Sequence, residues 1–258
     1  MVAAAVGVAL LTSGCVLPGI QSPTPAVAVE DPAGNLIRLA HAAQQDGRME
    51  TALGLYQQAH AVEPQGMVPL LASGEILQSL GRYDEAAALY RKARSQDPTN
   101  PDPYRELGKI FIAQDNASEA LKEFDAALHR DSSDFRSWNG RGVALDMMGR
   151  RKSAQEAYRQ GLALAPDNVA LRNNLGLSLA LDGDHGAAID VLEALRTTAE
   201  ATPRTRQNLA LAYGLAGRHA DAEAVARIDL SNEQVRNNLE YYSRMRGSRQ
   251  TASFDAAQ

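Results

Sequence analysis

From Ala33 onward, apolar residues recur with the three-and-four spacing of an amphipathic helix, and no stretch keeps the strict alternation of a strand. Almost no strand is therefore expected. The run FRSWNGRGVALDMMGRRKSAQEAYRQGLALAPDN, from Phe135 to Asn168, shows the local plan. Trp138, Gly142 and Leu145 share one face of a first short helix. Gly149 breaks that helix, Ala154 and Tyr158 lie on the inner face of a second, and Pro166 stops it. The pattern predicts two helices folded back on one another.

The plan recurs on a step of about 34 residues, giving units that begin near Ala33, Met67, Pro101, Phe135, Val169 and Pro203. One column is alanine in every unit: Ala52, Ala86, Ala120, Ala154, Ala188 and Ala222. A second is small throughout: Ala40, Gly74, Gly108, Gly142, Gly176 and Ala210. Two helices approach closely only where side chains are this small. The breaker column holds Gly47, Gly81, Gly149, Gly183 and Gly217, with Asp115 the one substitute. A ring column runs Tyr56, Tyr90, Phe124, Tyr158 and then weakens to Leu192 and Ala226. Proline closes the second helix at Pro64, Pro98 and Pro166, while Ser132, Glu200 and Gln234 stand in its place elsewhere. This order of aromatic, small, breaker, small, aromatic and proline resembles the tetratricopeptide repeat. The resemblance implies an all-α fold, a TPR-type α-solenoid: a right-handed superhelix of about six helix-turn-helix repeats plus a C-terminal capping helix.

Composition fits a stack of small-residue helices. The 258 residues are 45% hydrophobic but only 5% aromatic. The net charge of −5 argues against general nucleic-acid binding. The five histidines pair at no metal-ligand spacing, so no metal or other cofactor is expected. No glycine-rich phosphate loop, nucleophile elbow or histidine with an acid partner at fixed spacing is found, and no enzymatic activity is expected.

The layout outside the repeats is distinctive. Residues 1–14 are apolar and uncharged, the shape of a signal peptide too short to span a bilayer. They end in Leu11-Thr12-Ser13-Gly14-Cys15, which resembles the bacterial lipoprotein box and makes Cys15, the only cysteine, the expected lipidation site. A cysteine carrying two or more acyl chains is held stably in a membrane. Val16, where an aspartate would favour the inner membrane by resemblance to enterobacterial sorting, implies the periplasmic face of the outer membrane. Residues 15–32, with Pro18, Gly19, Pro23, Pro25 and Pro32, read as a flexible tether with a reach on the order of 20–25 Å. Six repeats then occupy 33–236. The segment from Ser231 to Arg246 reads as a capping helix N-capped by Ser231 or Asn232, and 237–258 as the end of that helix and a disordered tail.

What the repeat resemblance leaves is a binding surface. In this family the second, fifth, sixth, ninth and twelfth positions of each first helix line a concave groove. The matching residues are Arg105, Lys109, Arg136, Asn139, Asp146, Asn173, Asn174, Arg204, Gln207 and Asn208. Asn and Gln carry both donor and acceptor and suit a peptide backbone, while Arg136 and Arg204 suit a carboxylate. Leu177, Leu181, Leu211 and Leu215 flank them as a candidate apolar patch.

The runs TPRTRQNLALAYGLAG and NNLEYY, within a likeness over about 101–243, resemble the tight-adherence (Tad/Flp) pilus assembly lipoproteins, the TadD family. That resemblance implies a pilotin-like accessory whose partner is the secretin or another pilus component. A general periplasmic adaptor for outer-membrane protein assembly, or a soluble peptide-binding co-chaperone, shares the repeats.

Overall fold

A computed structural model describes residues 31–196, 198 and 201–255, with side chains described through 247. The expected signal residues, Cys15 and the tether up to residue 30 lie outside the described residues. Among the described residues there are thirteen helices and no strand. Twelve form six antiparallel pairs: α1 (Pro32–Gln45) with α2 (Met49–Val62), α3 (Met67–Ser79) with α4 (Tyr83–Gln96), α5 (Asp102–Ala113) with α6 (Ala117–Arg130), α7 (Phe135–Met147) with α8 (Arg151–Leu164), α9 (Val169–Asp182) with α10 (His185–Arg196), and α11 (Pro203–Leu215) with α12 (His219–Ala226). The last helix is α13 (Asn232–Asp255). Among the described residues no helix is long and apolar enough to cross a membrane.

The two small columns explain the pairing. Every alanine from Ala52 to Ala222 in the first column is fully buried, as are Ala40 and Ala210 in the second. At Gly142 the approach is closest: a Cβ there would overlap the Tyr158 ring, so the ring column of one helix lies directly on the small column of its partner. Between the paired helices the breaker column adopts positive φ. Asp115, the substitute, does so at +58°, a conformation that Asp tolerates better than most residues.

Four of the six first helices start on a side-chain cap. Asp31, Asn168 and Thr202 accept from the backbone N–H three residues on, and Asp134 accepts from Arg136 N. The helix preceding Ser132 ends without proline. Asp131 still closes the turn there, its Oδ1 accepting from both Ser133 N and Ser133 Oγ, as Asp97 does with Thr99 beside Pro98.

From the third unit on, each first helix touches the next: α5 meets α7, α7 meets α9, and α9 meets α11. These helices together form one face of the rod, and α13 continues the series by packing on α11 and α12. Ala226 leaves the ring column empty in the sixth unit, and α13 brings Tyr242 against Gly214 beside it. Val235 and Tyr242 are buried while Arg236, Asn237, Glu240 and Arg244 face water, the outer surface an array end requires. Ser231 and Gln234 start this helix as a reciprocal capping box. The helix does not give way to a disordered tail after Arg246; its backbone stays helical to Asp255. No proline interrupts the segment, and Gly247 alone costs only about 1 kcal/mol.

The buried apolar core comes in two large blocks, one over the first three units and one from Leu145 to Val235, with a small cluster around Phe124 between them. Buried polar side chains, Glu106, Asp134 and Ser137, sit at that junction.

The concave face as candidate binding site

Three adjoining hollows line the face made by α3, α5, α7, α9 and α11. The largest, about 680 Å³, is bounded by Glu75, Arg105, Glu106, Lys109, Arg136 and Asn139, with Phe124 and Phe135 below. Gly140 has no side chain, and a Cβ there would run into the Phe124 ring. A second, about 240 Å³, lies between Val143 and Met147 on α7 and Leu177 and Leu181 on α9, with Asn174 and Arg204 at its edge. A third, about 440 Å³, continues from Glu75 and Lys109 toward Gln78 and Tyr83.

The period sets which residues reach this face, but the neighbours decide their state. Arg105 is held by three carboxylates: Asp102 at 2.6 Å, Asp134 at 3.0 Å and Glu106 at 3.3 Å. Its side chain is only 16% exposed, so it builds the wall rather than greeting a partner. Lys109, 49% exposed, reaches Glu106 at 2.6 Å. Burial opposes ionisation of Asp134, yet the Ser137 hydroxyl, Arg105 and the Arg136 backbone N–H hold its carboxyl below the usual range. Glu75 is pushed the other way, first by burial and then by the charge of Glu106.

The asparagines form a ladder. Asn174 Nδ2 donates to Asn139 Oδ1 at 2.9 Å, and Asn208 Nδ2 donates to Asn173 Oδ1 at 3.0 Å. Each rung joins the sixth position of one unit to the fifth position of the unit before. Asn173 is 6% exposed and serves as a buried rung. Asn139, Asn174 and Asn208 are half-buried and keep further donor and acceptor capacity facing the groove. Gly140, at a sixth position, has no amide to offer Arg105, and the ladder stops there.

Arg136, Arg204 and Gln207 are exposed. Arg136 lies over the Phe135 ring with its guanidinium carbon 4.8 Å from the centroid. Among the described residues neither Arg136 nor Arg204 has a carboxylate partner, whereas Arg141, Arg151, Arg172 and Arg206 each have one. Asp146 is committed within the groove floor: its oxygens accept from Ser178 Oγ at 2.9 Å, Arg151 at 2.9 Å and Tyr158 Oη at 3.0 Å.

Of the candidate leucines, Leu215 is buried in the core, because the last turn of α11 lies in the block closed by α13. Leu177, Leu181 and Leu211 are half-buried. Glu75, Glu106, Val143 and Met147 also line the face and were not singled out in the sequence. Three of them occupy sixth and ninth positions, so the same register could have marked them.

Two tetratricopeptide-repeat family models match the chain, one over 77–141 and one over 37–101 and 145–204. Protein y4yS of Sinorhizobium fredii is 48% identical over 50 residues, 19% of this chain; the match spans 28% of that protein's length. Among solved structures, Pseudomonas aeruginosa pilF superposes with a TM-score of 0.66 at 17% identity, over 75% of this chain and 88% of that one. A tetratricopeptide repeat protein from Parabacteroides merdae gives 0.63 at 16% identity, over 82% and 84%. At these identities the structural likenesses establish the fold.

Proposed function

We propose that this chain, which belongs to the tetratricopeptide-repeat family, is a lipid-anchored periplasmic adaptor of the Tad pilus machine that captures an extended partner segment along its concave face. One observation carries the capture: the Asn139–Asn174 and Asn173–Asn208 rungs lie in register on the face that carries Arg136 and Arg204, two arginines with no carboxylate partner among the described residues. A row of fixed amides suits a peptide backbone, which repeats its own donors and acceptors. Interaction scaffolds, rather than catalysts, are what this fold typically makes.

The location and partner rest on sequence. The lipobox-like ending at Cys15 and the outward-sorting Val16 support attachment to the outer membrane. The TPRTRQNLALAYGLAG and NNLEYY runs support a pilotin-like role toward the secretin or another pilus component. Confinement beside the membrane raises the effective concentration of such a partner, so a modest intrinsic affinity suffices.

The test is a pull-down from membranes with the intact chain and with Cys15→Ser, alongside labelled palmitate incorporation. The expected result is palmitate on the intact chain only, and secretin or pilus components recovered with it. Recovery of the same partners by both forms, with no palmitate on either, removes the anchor. An Asn174→Ala/Asn208→Ala chain that still recovers them in full removes the groove.

A further inference from the structure

The second hollow has a chemistry of its own. Its walls are carbon: Val143 and Met147 from α7, Leu177 and Leu181 from α9. Met147 is 39% exposed, a large flexible apolar side chain left at the rim of a cavity. The volume, about 240 Å³, falls below the roughly 300–1,000 Å³ typical of small-molecule sites and suits a single side chain. Polar groups reach the hollow from Asp146, Arg151 and Tyr158 on the floor, but these bond to one another. What remains uncommitted is cationic. Arg204 stands at the edge, and across the Asn139–Asn174 rung the neighbouring hollow presents Arg136.

We propose that this hollow is an anchor pocket for one large apolar side chain of an acidic partner segment, whose flanking carboxylates are held by Arg204 and Arg136. The argument is one of complementarity. An apolar pocket beside two guanidinium groups that have no carboxylate partner among the described residues favours carboxylates next to the inserted side chain and disfavours lysine there. The Asn139–Asn174 rung lies between the two cations and is placed to bond the backbone joining the anchor to its acidic neighbours. This inference rests on capture along the concave face and adds to it the identity of the captured sequence.

The experiment uses the full chain and short fluorescein-labelled peptides in three sets: a leucine or phenylalanine flanked by Asp and Glu, the same centre flanked by Lys, and an alanine centre flanked by Asp and Glu. Fluorescence anisotropy is expected to show the first set binding about tenfold tighter than either other set. Arg204→Glu, at an exposed position, is expected to invert the preference between acidic and lysine flanks. Leu177→Ala is expected to abolish the difference between leucine and alanine centres while leaving the flank preference. Equal affinity for acidic and lysine flanks, or no change in Arg204→Glu, overturns the proposal. Capture along the face then still stands if Asn174→Ala/Asn208→Ala weakens every set. Binding of no set overturns both.

Discussion

The two halves of the concave face are built from the same positions of the same repeat, and they dispose of their charges in opposite ways. At the ninth position units two to six read Glu75, Lys109, Val143, Leu177 and Leu211, ionic in the second and third units and apolar from the fourth on. At the fifth, Arg105 is closed on three carboxylates in the first half, while the second half carries the amide ladder of Asn139 and Asn173. The boundary coincides with the break in the apolar core, where Glu106, Asp134 and Ser137 are buried together. The scaffold columns are fixed by how closely helices must approach, and the groove columns are not. A cation in a groove column is therefore structural or available according to whether the next unit supplies a carboxylate.

Removing Arg105 should have the largest effect. Arg105→Ala leaves Glu106 and Asp134 buried with no guanidinium between them, and breaking a buried pair costs about 3 kcal/mol or more. Urea denaturation should show that loss. A change under about 1 kcal/mol would mean that solvent screens the network and the two halves are alike. Asp146→Ala tests the second half's floor. It leaves the Tyr158 hydroxyl, Ser178 and Arg151 without their shared acceptor and should cost about 2 kcal/mol. A cost as large as that of Arg105→Ala would shift the structural weight away from the first half.

Acid titration separates the halves in another way. Asp134 has a folded-state pKa below the ordinary 3.8, so its contribution is complete above that value and is lost as pH falls through the folded one. Glu75, raised above 4.5, acts in the opposite sense: the folded chain keeps its proton longer, and stability declines as pH rises from 4.5 through the folded value. Asp134→Asn should flatten the fall of stability at the lowest pH, and Glu75→Gln should remove the decline above 4.5. Urea midpoints across pH 2–7 read both slopes, and an unchanged acid limb in Asp134→Asn would remove the charge network as its cause.

How much of this the sequence discloses depends on the range of the interaction. The alanine and glycine columns are legible because a steric requirement repeated at one stride leaves the same mark in every unit; even Asp115 is identified by its place in the breaker column and takes the positive φ expected there. The face each first helix presents is legible for the same reason. The state of a residue on that face is not, because it depends on single partners in another unit. Arg105 and Arg204 both stand in groove-facing columns, yet Asp134, 29 residues on, closes the first. Asn173 and Asn174 are consecutive, and one is buried while the other is half-exposed, since neighbours on a helix point about 100° apart. The ladder runs between fifth and sixth positions, 35 residues apart rather than one period, so a search of single columns passes over it. The capping helix was marked by its Ser231 start, but its length was not, because nothing in the residues after Gly247 forbids or demands helix.

The smallest stability effect is expected where the binding effect is expected to be greatest. Arg204→Ala removes an exposed guanidinium that has no carboxylate partner among the described residues, so folding stability should stay within about 0.5 kcal/mol of the parent chain. Its affinity for an acidic, apolar-centred peptide should nevertheless fall, and its thermal midpoint should be indistinguishable while anisotropy shows the loss. Arg105→Ala should show the converse, a large drop in stability and, at a temperature where the chain remains folded, little change in peptide affinity. The pair forms a double dissociation between two groove-column arginines, one in the third unit and one in the sixth, that differ in surroundings. If Arg204→Ala destabilises the fold by more than about 1 kcal/mol, its guanidinium belongs to the scaffold. The asymmetry between the halves would then lie in their apolar walls alone.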